Sequence, residues 1–259
     1  MQNKVVVITG STSGIGLGIA KKFASHGAKL VINGFAHEEQ VIEIIKELMM
    51  IGAGQVIYEN ADLSKPDEIN HMFKNIIATY NTVDVLINNA GIQFVSPIEE
   101  FPPEKWEAIM RINLIASFYT IKNVVPLMKK NNWGRIINIA SAHALVASPF
   151  KSAYVAAKHG VLGLTKTVAL EVARNNITAN AICPGYVKTP LVLGQIKDTA
   201  KARGMSEEEV VEKIILGSQA TKKFVEIEEL AGLAYFLCSN EAASITGTAL
   251  PIDGGWTTQ

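Results

Sequence analysis

Cysteine is nearly absent from this chain: Cys183 and Cys238 are the only two in 259 residues. Thiols so few and so far apart exclude a disulfide framework. The five histidines show no metal-ligand spacing, so no metal is expected. Long apolar runs are also missing, and none approaches the ~18 residues that a membrane span requires. Nor is there an excess of charge. Lys and Arg number 24 against 24 Asp and Glu, which leaves no basic field to draw nucleic acid or an anionic membrane. No Pro/Gly/Ser-rich linker, charge block, internal repeat or low-complexity stretch divides the sequence, and one domain over residues 1–259 is expected. Met1-Gln-Asn-Lys4 leads directly into a β-branched run without a signal-peptide pattern. Together these absences predict a soluble cytoplasmic protein with neither a nucleic-acid nor a membrane partner.

What is present alternates. The short β-branched run over 4–9 reads as a fully buried parallel strand, and runs over 29–33, 55–59, 83–87 and 135–140, with a sixth ending at Cys183, read as further strands. Helical patterns over 15–26, 38–50, 66–80, 103–130 and 152–174 separate them. Regular βα alternation predicts an α/β fold: a single Rossmann-type, doubly wound parallel sheet with ligands beyond the carboxyl ends of its strands. After the sixth strand the pattern loosens, over about 186–223. Thr189-Pro190 starts one short helix there, and Ser206 with Glu209 makes a capping-box pattern ahead of another. Two small helices inserted above a strand end predict a lid.

Two motifs carry chemistry. The first strand runs into Gly10-Ser-Thr-Ser-Gly14-Ile-Gly16 and then into a helix. Glycines let a backbone approach a pyrophosphate, and the helix N-terminus supplies free N–H groups and the positive dipole end. Further along, Tyr154 and Lys158 stand four apart on one helix face, thirteen and more residues after Ser141. A nearby ammonium favours a phenolate, so Lys158 is expected to draw the pKa of Tyr154 down from ~10, fitting it for proton exchange with an alcohol or ketone.

These motifs, with Asp62-Leu63, Asn88-Asn-Ala-Gly91, Asn113 and Cys183-Pro-Gly185, occur in one order along the whole chain. In that order the sequence resembles the short-chain dehydrogenase/reductases. The resemblance implies a catalytic set of Asn113, Ser141, Tyr154 and Lys158, with Asn113 anchoring a water that links Lys158 to solvent. It implies cofactor contacts at Gly10, Thr12, Gly14, Ile15 and Gly16, then at Phe35, and at Asp62 and Leu63 beside the adenine. Asn89, Ala90 and Gly91, the pair Tyr154 and Lys158, and Pro184, Gly185, Val187 and Thr189 complete that set.

Asn33-Gly-Phe35, Gly91-Ile-Gln93, Ser141-Ala-His143, Lys151 to His159 and Asp253-Gly-Gly-Trp256 narrow the resemblance to members acting on a small 3-hydroxy acid. It then implies substrate contacts at Ser141 and Tyr154, with Gln93, His143, Lys151 and Gln195 at the acid group. Helical steps of ~100° independently place Lys151, Tyr154 and Lys158 on one side of their helix. One departure stands out: Tyr186 occupies a position where such relatives often carry tryptophan, which is expected to alter the pocket around the substrate methyl. A reductase of another ketone or a sugar is the alternative reading. The positions after the second strand hold neither a carboxylate for the adenosine ribose nor a cation for an added phosphate. Absence of a cation, with Ser13 in the glycine loop, selects NAD over NADP. The 152–174 helix is apolar nearly all round, so a second subunit is expected against it, with Gly160 and Gly163 allowing close approach. Pairing of such helices in the family implies a homotetramer.

Overall fold

In the computed structural model, which describes residues 1–190, 192–194, 196, 200 and 204–258, the first apolar run forms β1 (Val5–Ile8). It feeds α1 (Gly14–Ala24), and then β2 (Lys29–Asn33), α2 (Glu38–Ile51), β3 (Gln55–Glu59) and α3 (Pro66–Tyr80) follow. The chain crosses to β4 (Val85–Asn88), α4 (Pro103–Met110), α5 (Ala116–Lys130), β5 (Gly134–Ile139), α6 (Ser152–Val172) and β6 (Ile177–Pro184). Beyond it lie α7 (Glu207–Val210), α8 (Ile227–Leu237) and β7 (Ala249–Ile252). Every described strand pairing is parallel, in the order β3-β2-β1-β4-β5-β6-β7. The chain builds outward from β1 to β3, returns to the other side of β1 with β4, and continues to β7. The crevice between β1 and β4 is therefore the point where the strand order reverses, the place such sheets bind ligands.

The central strands are buried on both faces, which is why they read as continuous Val/Ile runs. Val6, Ile8, Leu30 and Ile32 face one layer, where Phe23 of α1 and Leu230 of α8 pack. Val5, Val7 and Val31 face the other, against Phe73, Ile76 and Val124. Two elements were not legible in the sequence. Helix α8 opens with a Glu226–Glu229 capping box, and β7 carries Pro251, a residue tolerated because β7 is an edge strand. The Ser206–Glu209 capping box is present as expected, both of its hydrogen bonds made. The 103–130 helix is interrupted by a wide π turn over Arg111–Ile115.

Gly160 has a use different from the one expected. A Cβ there would lie 2.7 Å from Leu114 Cδ2 of the same chain, so it serves internal packing. Gly163 faces open space. Among the described residues no helix is long and apolar enough to cross a membrane, and no group of three His, Cys, Asp or Glu side chains could hold a metal ion.

The ends of β1 and β4 are tied together. Asn89 Nδ2 donates to Thr9 O at 3.0 Å and to Gly10 O at 2.9 Å, while the Asn89 and Ala90 amides donate to Thr9 Oγ1. Asn89→Ala leaves two carbonyls without these donors at a crowded turn, and a loss of about 2 kcal/mol is expected. Urea unfolding of the two proteins measures it; a difference below about 0.5 kcal/mol, the scale of an ordinary surface change, would show the clamp to be dispensable.

Candidate active site

The glycine loop closes tightly on this clamp. Gly10 adopts φ +60°, and a Cβ on it would lie 2.8 Å from Ala90 Cα. Gly16 does not line the cleft. Its hydrogen lies where a Cβ would meet Gly10 O at 2.3 Å, so it lets α1 pack onto the loop. At the start of α1, Ser13 makes no side-chain cap, so the first-turn amides face the cleft without a covering hydroxyl. Gly10, Thr12, Gly14 and Ile15 line that cleft with Phe35, Asp62, Leu63, Ala90 and Thr189. Phe35 is 76% exposed at its rim. Asn33 is engaged in structure: its Nδ2 donates to Glu59 O and Ala61 O. A narrow glycine-lined groove ending at bare helix amides fits a dinucleotide.

The groove continues into a second chamber at the ends of β4, β5 and β6. Asn89, Gly91, Gln93, Ser141, His143, Lys151, Tyr154, Lys158, Pro184, Gly185, Val187 and Thr189 all line it. Of the residues expected at the site, Asn113 stays behind the wall and Gln195 lies outside the described residues. Two further wall residues are Tyr186, expected only to alter the pocket around the substrate methyl, and Trp256, which the sequence assigned no contact. Trp256 follows Gly254 and Gly255, both at positive φ, and that turn brings it round to the chamber. A Gly-Gly-aromatic run after an edge strand was the signal available.

Ser141 follows β5 in extended conformation and its Oγ accepts from His143 N at 3.1 Å. Its hydroxyl faces Tyr154 and opposes the upward push of burial on the phenol pKa. Lys158 is buried, and its Nζ donates to Ile139 O at 2.8 Å while lying 5.5 Å from the Tyr154 ring centre. The charge balance differs from that expected. Burial pushes the Tyr154 phenol up to about 12, despite the Ser141 hydrogen bond. Burial also pushes the Lys158 ammonium down to about 8. Desolvation thus sets the direction of both shifts, each toward the neutral form.

Asn113 hangs from the π turn. Its Oδ1 accepts from Ile92 N at 2.9 Å and its Nδ2 donates to Ile92 O at 3.0 Å, fixing the loop after β4. Gly91 keeps a gap open beside it: a Cβ would stand 3.4 Å from Asn113 Oδ1 and 3.8 Å from Lys158 Nζ.

The remaining polar groups gather at the far end. His143 is pushed down to about 3 by burial, then by the charges of Lys151 and His159, and so stands neutral. Its Nε2 meets Ser148 Oγ at 2.8 Å, and its ring lies edge-on to Tyr154 and Trp256. Lys151, the residue before the first turn of α6, donates to Tyr186 Oη at 3.1 Å. Among the described residues Gln93 Nε2 is buried without a hydrogen-bond partner. The chamber therefore offers a hydroxyl pair, Ser141 and Tyr154, for one oxygen, and a cation with an unused amide donor a short distance away.

Comparison with known proteins agrees with this geometry. The family model described as enoyl-(acyl carrier protein) reductase matches residues 10–257. The chain is 54% identical to a D-beta-hydroxybutyrate dehydrogenase of Rhizobium meliloti (strain 1021), over 99% of both chains. It is 47% identical to an enzyme of the same name from Cupriavidus necator, over the full length of both. Among solved structures, an L-sorbose reductase from Gluconobacter frateurii, complexed with NADPH and L-sorbose, superposes with a TM-score of 0.93 at 31% identity. That match covers 100% of this chain and 98% of the other. With the glycine loop, the Ser141–Tyr154–Lys158 site and a full-length family match in hand, the chain belongs to the short-chain dehydrogenase/reductases.

Proposed function

We propose that this protein is an NAD-dependent oxidoreductase that interconverts D-3-hydroxybutyrate and acetoacetate. The observation that carries the reading is the placing of the Lys151 ammonium in the same chamber as Ser141 and Tyr154. A 3-hydroxy acid has an oxygen to be held by hydroxyls and, two carbons away, a carboxylate to be held by a cation. Gln93, with its unpartnered amide, supplies a further donor for that carboxylate. His143 contributes as a neutral ring, because burial, and then the charge of Lys151 beside it, disfavour its protonation. The two relatives named for this substrate support the same assignment. Gln195 is proposed as a further acid contact from the lid.

Ser141 holds the 3-oxygen, and Tyr154 takes its proton in oxidation or returns it in reduction. Asn113 keeps the Ile92 loop in register beside Lys158, and the gap over Gly91 leaves room for a water between them. When bound, the nicotinamide cofactor supplies the hydride acceptor or donor. The dinucleotide cleft contains one acid, Asp62, and no basic side chain among its lining residues, which supports NAD over NADP. The L-sorbose reductase of the same fold is complexed with NADPH and a sugar. A sugar, however, has no use for Lys151. Cys183 and Cys238, both buried and unpaired, suit a reducing cytoplasm.

Absorbance of NADH formed from D- and L-3-hydroxybutyrate, with each cofactor, tests the assignment. Turnover should be confined to the D acid with NAD. Lys151→Ala should lower kcat/KM for the acid by about ten- to hundred-fold, from a charge-assisted hydrogen bond of ~1.5–3 kcal/mol, and leave butan-2-ol unaffected. An equal loss on both substrates would remove the hydroxy-acid reading.

The pH dependence follows from Lys158. Rising pH removes its proton near 8, the value to which burial brings it, and leaves a neutral amine to receive the proton that Tyr154 takes from the substrate. Oxidation needs that proton gone, so its kcat/KM should rise and level off above an apparent pKa near 8. Reduction should fall through the same value. In Lys158→Met the phenol titrates alone, and oxidation should still climb at pH ~10. A variant profile that levels off where the native one does would detach Lys158 from the proton transfer.

We infer further that the protein is a homotetramer. Ile115, Phe118 and Leu170 (42%, 46% and 83% exposed) stand out on the outer faces of α5 and α6 and its neighbouring π turn. Such apolar residues are suited to an interface between copies. Light scattering behind size exclusion should give four times the 28.0 kDa chain; a monomer mass would discard the inference.

A further inference from the structure

Tyr186 stands where its ring was expected to shape an apolar pocket, yet its hydroxyl points to the acid-binding end. The hydroxyl accepts from Lys151 Nζ at 3.1 Å. That bond leaves the phenolic proton free, and no acceptor for it stands among the described residues.

The position of the ring is set by several independent contacts. Its plane stacks on Trp256, with centres 5.4 Å apart and 5° between the rings. Its edge packs against the lid cluster of Ile196, Val210, Ile215 and Leu216. Its backbone is held too: Tyr186 N donates to Gln219 Oε1 and Tyr186 O accepts from Val225 N. A side chain fixed on three sides presents its hydroxyl at a set place, at little entropic cost on binding.

We propose that the Tyr186 hydroxyl is a direct donor to the substrate carboxylate, a specificity determinant working beside Lys151 and Gln93. The proposal rests on the reading that Lys151 pairs that carboxylate. A carboxylate has two oxygens, each able to accept more than one hydrogen bond. Lys151 supplies charge, Gln93 its unpartnered amide, and Tyr186 a proton whose oxygen is already polarised by the ammonium. Tyr186 also lies against both the lid cluster and the chamber, so the same ring that binds the acid joins it to the segment above. A tryptophan in its place would keep the stack and lose the phenol.

Tyr186→Phe tests this, because it retains the ring and removes one oxygen. KM for D-3-hydroxybutyrate and Ki for butyrate, which has the acid but no hydroxyl to oxidise, should both rise about ten-fold, as expected for a hydrogen bond to a charged group. The kcat for the acid and kcat/KM for butan-2-ol should stay within about two-fold. Tyr186→Trp, measured in parallel, should lose acid affinity in the same way, and thermal melts of both report their folding. Lys151→Ala is run beside them. If Lys151→Ala loses acid selectivity while both Tyr186 variants keep it, the Tyr186 proposal is overturned and the Lys151 reading stands. If none of the three discriminates acid from alcohol, both fall. Equal loss on acid and alcohol in the folded Tyr186 variants would mark a packing role and overturn the proposal.

Discussion

One side chain joins the two halves of this sheet at the place where they diverge. Asn89, just past β4, reaches to the carbonyls of Thr9 and Gly10, and the Thr9 hydroxyl accepts from the Asn89 and Ala90 amides. The backbone ladder pairs β1 with β4 as far as Ile8 and Ile87, and beyond its end side chains hold the spacing of the crevice. The clamp does so, and Gly16 lets α1 close over it. The turn of Gly10, the direction of the α1 amides and the shared wall of the two chambers all follow from that spacing.

The reacting groups owe their properties to being enclosed more than to being neighbours. Tyr154 and Lys158 are each driven toward their neutral form by burial, as is His143. Lys158 keeps its proton below about 8 but is buried and engaged with Ile139 O, which leaves the Lys151 ammonium as the more accessible cation of the chamber. An anion is therefore drawn to one end, and the hydroxyl pair at the other end receives a carbon of defined distance from it. Orientation and substrate choice come from the same asymmetry.

The central strands were legible because strands buried on both faces must be continuous apolar runs. The runs over 29–33 and 55–59 match β2 and β3 to the residue, although β3 is a partly exposed edge strand. The chain order of the glycine loop, Ser141, Tyr154 and Lys158 likewise survives in three dimensions, since each sits at or just beyond a strand end or on the helix that follows. Other features had no local signature. The role of Gly160 depends on Leu114, nearly fifty residues away in sequence, and no periodicity reveals it. The balance between Tyr154 and Lys158 depends on how much protein surrounds them, which spacing does not encode. Tyr186 and Trp256 meet only through the fold, and their stack explains why a departure from the family pattern bears on the acid group.

The π turn at Arg111–Ile115 also escaped a reading based on a single helical period. A turn of this kind holds one residue more than the helix on either side of it needs. Everything before it is thus rotated by about 100° relative to everything after it, the angular step of one residue. Asn113 inhabits the discontinuity, pointing inward to the Ile92 backbone from a position that an unbroken helix would aim elsewhere. The long rod between β4 and β5 is in effect two rods sharing an axis but not a phase. The first packs on α6 beside Tyr154 and the second on α3 and the sheet core, so each is keyed to a different partner.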